Sequence, residues 1–203
     1  MSFPYISKES PLILASASPR RKRLLTQAGL PFRSLASHVD EEGVGGKPEE
    51  TSRTLAEKKA SQVCSRVGKA WILGADTMVV VSDEILGKPA DREDARRMLW
   101  QLSGRDHRVI TGFCILNSLD GVVHDEAVTT LVTIKALTRQ EIEAYIETDE
   151  PFGKAGSYAI QGIGSFMVKR ISGPYTNVVG LPICALIEAL FSVGAIKGFP
   201  IPH

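Results

Sequence analysis

Apolar residues along the chain fall into two kinds of spacing, one typical of strands and the other of helices. A short apolar run from Leu12 and a longer one over residues 71–81 predict buried strands. Residues 107–116 and 127–136 are rich in β-branched side chains and predict two further strands joined by a turn. A last short strand is predicted over residues 165–171.

Helices are predicted where apolar residues recur every three or four positions behind a capping residue. Ser18, Asp91 and Thr138 each precede such a run. Two further helices are predicted over residues 51–67 and 182–190. Because strands and helices mix without a strict βαβ repeat, the order of elements favours an α/β fold with a mixed twisted sheet and flanking helices.

The composition is that of a globular protein with an ordinary core. With 203 residues and 43% hydrophobic content, we expect one domain over residues 1–203, built as a single body or as two lobes. The formal net charge of +1 provides no overall field toward nucleic acid or an anionic membrane. No leader segment and no apolar run of about 18 residues is present, so we expect a cytoplasmic protein without a membrane span.

The three cysteines, Cys64, Cys114 and Cys184, are isolated in the sequence. Without CxxC spacing they argue against a disulfide framework and against a zinc site. We expect them to be small buried side chains in a reducing compartment.

The start of the first helix carries positive charge where a helix favours anions. Ser18 is a good N-cap and Pro19 suits the first helical position, so the free N–H groups and the helix dipole face outward there. Arg20 and Arg21 follow at once, which predicts a site for a phosphate. The alternative is a solvated basic face, with one arginine anchoring a carboxylate.

Asp76 interrupts the apolar run of residues 71–81. A carboxylate in a buried strand is costly unless it is paired, hydrogen-bonded or bound to metal. It therefore predicts a general base or a metal ligand, with a buried partner for an arginine or lysine as the alternative. Gly74 and Thr77 beside it indicate room for a ligand.

Lys88 and Lys154 stand between glycine or proline residues that fix the backbone, which suits a phosphate contact but also an ordinary surface turn. His107, at a strand start, is more typical of a satisfied hydrogen bond than of catalysis. Gln161 stands among glycines, where its amide could read a base edge or remain an exposed loop side chain.

Six short motifs follow one another between residues 11 and 190. They are Ser16-Ala17-Ser18-Pro19-Arg20-Arg21, Gly74-Ala75-Asp76-Thr77, Gly87-Lys88-Pro89, Leu102-Ser103-Gly104 with His107, Lys154-Ala155-Gly156 and Asn177-Val178-Val179-Gly180-Leu181-Pro182. In this order and spacing the chain resembles the Maf family of nucleoside triphosphate pyrophosphatases, also described as septum formation inhibitors. The resemblance implies a mixed α/β fold akin to inosine triphosphate pyrophosphatases, with two lobes around a cleft.

The resemblance also implies an activity, the hydrolysis of a nucleoside triphosphate to monophosphate and pyrophosphate with a divalent cation, Mg²⁺ or Mn²⁺. By motif, Asp76 is the proton acceptor, and three residues select the substrate: Arg20, Thr77 and Gln161. The residues of the phosphate cleft are Ser16, Arg21, Lys59 and Lys88. Oxygen ligands suit magnesium, and the candidates around the cation are Asp76 and the acidic loop residues Asp40, Glu41 and Glu42, of which Glu41 is nominated.

Within the family, Tyr158-Ala159-Ile160-Gln161-Gly162 resembles the branch acting on dTTP and UTP, with 7-methyl-GTP hydrolysis as the alternative. Two positions depart from the family pattern, Lys58 in place of glutamate and Gly153 in place of aspartate. The rival classes are a nucleotide-binding regulator of cell division without turnover and a nucleic-acid binder, and the near-zero charge argues against the second. The expected partner is thus a small nucleotide, and the sequence leaves a homodimer open.

Overall fold

The computed structural model describes residues 3–40 and 44–201. Within these residues the strands are Leu12–Leu14 (β1), Phe32–Ser34 (β2), Trp71–Val81 (β3), Glu84–Leu86 (β4), Asp106–Asn117 (β5), Gly121–Ile134 (β6) and Val168–Ser172 (β7). The α-helices are Pro19–Gln27 (α1), Pro48–Cys64 (α2), Arg92–Leu102 (α3), Arg139–Glu147 (α4), Tyr175–Val179 (α5) and Ile183–Ser192 (α6). None of the described helices is long and apolar enough to cross a membrane.

The strands form one mixed sheet in the order β2-β1-β3-β5-β6-β7, with β4 paired to β3. β1 is parallel to both β2 and β3, and it aligns Ile13 with Ile72. The pairs β3–β4 and β6–β7 are antiparallel. The expected α/β fold with a mixed sheet and flanking helices is therefore confirmed.

The chain divides into two compact units. The first is Met1–Asp76, Thr111–Val128 and Gly180–His203, and the second is Thr77–Ile110 and Thr129–Val179. The division falls inside β3, between two residues that the sequence singled out. The expectation of a single domain with a cleft between lobes stays a prediction.

In the first unit, α2 lies directly on the sheet. A Cβ on Gly74 of β3 would stand 2.0 Å from the Ala56 carbonyl oxygen, and one on Gly112 of β5 would stand 2.3 Å from the Ser52 carbonyl carbon. The two glycines therefore let the helix backbone approach both strands more closely than any side chain would allow. Ala60 continues the contact face and is fully buried.

The second unit has its own apolar core beneath two helices. α3 contributes Met98 and Leu102, and α4 contributes Ile142 and Ile146. On the outside, the Arg96 guanidinium donates to both Glu143 carboxylate oxygens, at 2.6 and 2.8 Å. This bidentate ion pair joins the two helices on the outside of the unit.

The predicted caps are confirmed. The Ser18 hydroxyl accepts from the Arg21 amide, and the Asp91 carboxylate accepts from the Asp94 amide at 2.8 Å. Thr138 and Glu141 form a reciprocal capping box. The long strand over residues 71–81 is also confirmed.

Several element boundaries were predicted wrongly. α2 begins at Pro48 rather than residue 51, because proline and two glutamates form its first turn. It also ends at Cys64, before the predicted residue 67. β6 begins at Gly121 rather than residue 127. Ile163–Met167 is a 3₁₀ helix, so the last strand starts only at Val168.

Two short strands and one short α-helix were not predicted at all. They are β2, β4 and α5. A strand of three residues is too short to show an alternation of apolar and polar side chains. β2 forms because β1 provides a parallel partner. The expectation of buried cysteines holds for Cys114 and is wrong for Cys184, which is exposed; none of the three is in a disulfide.

Candidate functional site

The start of α1 is organised by one buried arginine. Arg21 donates from Nε to the Gly180 carbonyl at 2.8 Å and from Nη1 to the Ser16 hydroxyl at 3.3 Å. Ser16 Oγ also accepts from the Ser18 amide at 3.2 Å. Arg21 thus contacts a backbone carbonyl and a hydroxyl, and it brings positive charge beside Ser16.

Arg20 precedes Arg21 on α1 and is half-buried. Because consecutive helical residues are about 100° apart, its side chain leaves the helix in a different direction from that of Arg21. Burial lowers the pKa of its guanidinium below the ordinary value, although an arginine stays charged at any neutral pH. Among residues 3–40 and 44–201, no side chain or carbonyl pairs with it. A partly desolvated cation at a helix N-terminus is suited to an external anion.

Asp76 and Lys59 form a nearly buried ion pair. Lys59 Nζ donates to Asp76 Oδ1 at 2.6 Å, and the two side chains are 12% and 11% exposed. This is the buried partner that the alternative interpretation of Asp76 required. Within the described part of the chain, however, Oδ2 accepts no hydrogen bond, so the carboxylate keeps one oxygen available to a ligand or water.

Helix packing, and not ligand access, explains Gly74. The sequence suggested that this glycine left room for a ligand beside Asp76, and that interpretation is wrong, because Ala56 of α2 fills the space. The contact has a second effect on the site. Lys59 follows Ala56 by almost one helical turn, so the glycine contact fixes the height of Lys59 above the sheet.

The first unit contains two side-chain pairs, Arg21 with Ser16 and Lys59 with Asp76. Ser16 follows β1, and Asp76 lies on the neighbouring strand β3. Ala15 continues the β1–β3 ladder by donating from its amide to the Leu73 carbonyl at 2.8 Å. Ser16 follows that residue directly, and Asp76 lies three residues beyond Leu73 on β3. Since adjacent strands lie about 4.8 Å apart, the residues that follow β1 pass beside the middle of β3, where Asp76 contacts Lys59.

The other predicted site residues belong to the second unit. Thr77 is the half-buried position in the otherwise buried β3. Lys88 is exposed, on a loop whose Gly87 carbonyl accepts from the Gly156 amide at 3.0 Å. Gly156 has φ 68°, and a Cβ on it would meet Val79 at 2.8 Å, so two of the family motifs are held together here.

Gln161 lies half-buried on a loop fixed by a carboxylate. Glu150 accepts from the Ile163 amide at 2.9 Å and from the Gly164 amide at 2.8 Å. A Cβ on Gly162 would stand 1.8 Å from Glu150 Oε1, and one on Gly164 would stand 2.6 Å from the Tyr145 hydroxyl. The glycines around Gln161 therefore make room for Glu150 and Tyr145 and not, as the sequence suggested, for a flat ligand.

Sequence reasoning missed Glu150 and Tyr145 altogether. The signal that could have found them is the Gly162-Ile163-Gly164 spacing, since two glycines around one residue indicate backbone that something else approaches closely.

His107 and Lys154 have structural roles. His107 Nε2 and the Tyr158 hydroxyl share a hydrogen bond of 2.8 Å in the core of the second unit. Lys154 Nζ donates to the backbone carbonyls of Glu150 and Phe152. For His107 this agrees with the more ordinary interpretation, while a phosphate contact of Lys154 stays a prediction.

The donor set for a divalent cation is small in the described residues. No cluster of three or more His, Cys, Asp or Glu side chains occurs among them. Asp40 is exposed, and Glu41, the nominated loop ligand, lies outside the described residues. The free Asp76 oxygen nevertheless fits Mg²⁺, which is commonly bound through one or two carboxylates together with substrate phosphates and water.

Comparison with known proteins gives consistent matches. A family model described as Maf-like protein matches residues 11–193. A dTTP/UTP pyrophosphatase of Syntrophotalea carbinolica is 49% identical over 197 residues, covering 94% of this chain and 88% of the relative. A dTTP/UTP pyrophosphatase of Geotalea uraniireducens is 50% identical over 191 residues, covering 93% and 98%.

Among solved structures, a nucleoside-triphosphatase / dITP/XTP pyrophosphatase of Mycobacterium abscessus overlaps with a TM-score of 0.40 at 15% identity, covering 63% of this chain and 75% of that one. The sequence relatives are far more similar and span nearly the whole chain. Together with the family match over residues 11–193, they show that this chain belongs to the Maf-like protein family.

Proposed function

We propose that this chain hydrolyses dTTP and UTP to the nucleoside monophosphate and pyrophosphate. The observation that carries the proposal is the Asp76–Lys59 pair, in which a nearly buried carboxylate has one oxygen bound by a cation, while the other has no donor among the described residues. The names of relatives about half identical in sequence support the choice of substrate.

The cations of the first unit neutralise the triphosphate. Hydrolysis of a phosphoanhydride builds negative charge on the phosphate oxygens as the bridging bond breaks, so fixed positive groups stabilise the transition state more than the free substrate. Arg20 and the α1 N-terminus present charge and N–H donors, while Arg21 holds Ser16 in place beside them. Lys59, also of the first unit, and Lys88, of the second, are the remaining phosphate cations in this proposal.

Asp76 orients and deprotonates the attacking water. Water donates one hydrogen bond to Oδ2, its oxygen attacks phosphorus, and the proton passes to the carboxylate while pyrophosphate leaves with the bridging oxygen. Lys59 keeps Oδ1 fixed so that the free oxygen faces one direction. A divalent cation bound by Asp76 and the substrate phosphates would add charge neutralisation.

Gln161 selects the base in this proposal. Its amide oxygen can accept from N3–H of uracil or thymine and its NH₂ can donate to O4, whereas cytosine offers an acceptor and an amine at those positions. Arg20 and Thr77 remain the other proposed selectivity residues. The metal, the cytoplasmic location and a homodimer stay predictions.

The test is pyrophosphate release by the pure protein with Mg²⁺ and each of UTP, dTTP, CTP, GTP and 7-methyl-GTP. We expect UTP and dTTP to exceed CTP in kcat/KM by roughly 10²-fold, since a site built to pair a polar edge rejects an analogue that leaves it unpaired. Gln161→Leu should remove most of that preference, and Gln140→Leu, an exposed position on α4, should keep it.

Two outcomes would contradict the proposal. Nucleotide binding without turnover would indicate the regulator instead, and a preference for 7-methyl-GTP would indicate the other branch of the family. Equal rates with UTP and CTP would refute base selection by Gln161 while leaving the hydrolytic site intact.

A further inference from the structure

The loop that carries Gln161 is held by one acidic side chain. Three donors converge on the Glu150 carboxylate: the Ile163 amide on Oε1, at 2.9 Å, and the Gly164 amide and Tyr145 hydroxyl on Oε2, each at 2.8 Å. The Tyr145 hydroxyl in turn accepts from the Ala159 amide at 3.1 Å. The backbone is thus fixed on both sides of Gln161.

Protonation states agree with this direction of the hydrogen bonds. Burial raises the pKa of Glu150, but hydrogen bonds from Gly164, Tyr145 and Ile163 outweigh burial and leave that pKa below its ordinary value. Burial and the neighbouring carboxylate raise the pKa of Tyr145. At neutral pH Glu150 is therefore an ionised acceptor and Tyr145 a neutral donor.

The glycines show that the arrangement is specific. Gly162 follows Gln161 directly, and any side chain there would overlap the Glu150 carboxylate at 1.8 Å. Gly164 makes the corresponding space for the Tyr145 hydroxyl. The glycines of the loop therefore match the positions of the Glu150 carboxylate and the Tyr145 hydroxyl. A chance surface contact would not need glycine at both positions.

Hydrogen-bond selection of a base depends on position. An amide discriminates uracil from cytosine only when its atoms are held to within about 0.5 Å of the required geometry, and such side chains need a supporting set of contacts. We propose that Glu150 is a positioning residue for base selection, its carboxylate fixing the loop of residues 159–164 so that Gln161 meets the pyrimidine edge. This rests on the proposed role of Gln161.

Glu150→Gln tests the proposal with almost no change of shape. The amide NH₂ would face backbone donors, and the Tyr145 hydroxyl already accepts from Ala159, so at least one donor loses its partner. We expect the ratio of kcat/KM for UTP over CTP to fall by about tenfold or more. Loss of folded protein would instead lower both rates alike.

Glu143→Gln is the matched control. Glu143 is an ion-paired acid on the nearby helix α4 and contacts Arg96, not the loop. It should keep the wild-type ratio. In a Gln161→Leu background, Glu150→Gln should lower the ratio no further, because the residue it positions is gone.

The outcomes separate this inference from the proposed function. A normal ratio in Glu150→Gln, with Gln161→Leu still abolishing the preference, would overturn the role of Glu150 alone. An unchanged preference in Gln161→Leu would overturn base selection and this inference together, leaving hydrolysis standing. If Glu150→Gln does not fold, Tyr145→Phe is the deciding variant. We expect it to lower the ratio of kcat/KM for UTP over CTP by less than Glu150→Gln would. An unchanged ratio would contradict the proposal.

Discussion

At the scale of single residues, the site depends on a carboxylate placed where the strand is otherwise apolar. Lys59 Nζ donates to Asp76 Oδ1 at 2.6 Å, and within residues 3–40 and 44–201 no donor contacts Oδ2. Asp76→Asn keeps the size of the side chain and an oxygen for Lys59 but cannot take a proton. We expect a folded protein whose kcat falls by about 10²-fold or more, the usual scale for a positioned base.

Asp83→Asn is the comparison for that variant. Asp83 follows the same strand, its side chain is 98% exposed, and its φ of 66° suits asparagine as well as aspartate. Its turnover should match the wild type. Turnover near the wild-type value in Asp76→Asn itself, measured as pyrophosphate release, would show that Asp76 is only the structural partner of Lys59.

At the scale of elements, helix α2 sets the distance between Lys59 and Asp76 through its contact with Gly74. In Gly74→Ala the new Cβ would stand 2.0 Å from the Ala56 carbonyl oxygen, which is backbone and cannot turn away. We expect the free energy of unfolding to fall by about 1–3 kcal/mol or more. Activity should fall as well, because α2 must move away from β3.

Gly68→Ala is the control, since a Cβ there meets nothing within 4 Å. Urea unfolding of both variants measures the difference. Equal stability of Gly74→Ala and the wild type would mean that α2 adapts without cost.

Element prediction succeeded where the determinants are local. The caps at Ser18, Asp91 and Thr138 depend on side chains within three residues, so the sequence shows them directly. β2 failed because three residues gain strand structure only from pairing with β1. Propensity is a weak guide when a distant partner decides.

The residues of the candidate site likewise differ in whether a local sequence signal reveals them. Asp76 is visible as a polar residue in an apolar run, and the cation pair at Arg20 and Arg21 as an unusual helix start. Lys59 on its helix has no such local signal and came only from the family resemblance. Glu150 came from neither, because its role depends on donors 13 and 14 residues further along the chain.

At the scale of the whole molecule, one buried imidazole links stability to pH. Burial lowers the pKa of His107 from 6.5 to about 4, Asp106 opposing the effect. Among the described residues its Nδ1 has no hydrogen-bond partner. Below pH 6.5 the unfolded chain therefore binds a proton that the folded chain does not.

Stability should consequently rise with pH between about 4 and 6.5 and be fully present above that window. The contribution of His107 is up to about 3 kcal/mol. Denaturant unfolding from pH 4 to 7 checks this against His107→Gln, which keeps a polar contact for Tyr158 but does not titrate. Parallel pH profiles of the two proteins would contradict the assignment.

The hydrogen bond from Arg21 to Gly180 spans 159 residues of sequence. During synthesis the arginine leaves the ribosome long before its carbonyl partner exists. At about 5–20 residues per second the interval is roughly 10–30 s. The contact network that holds Ser16 through Arg21 is thus incomplete until Gly180 has been synthesised.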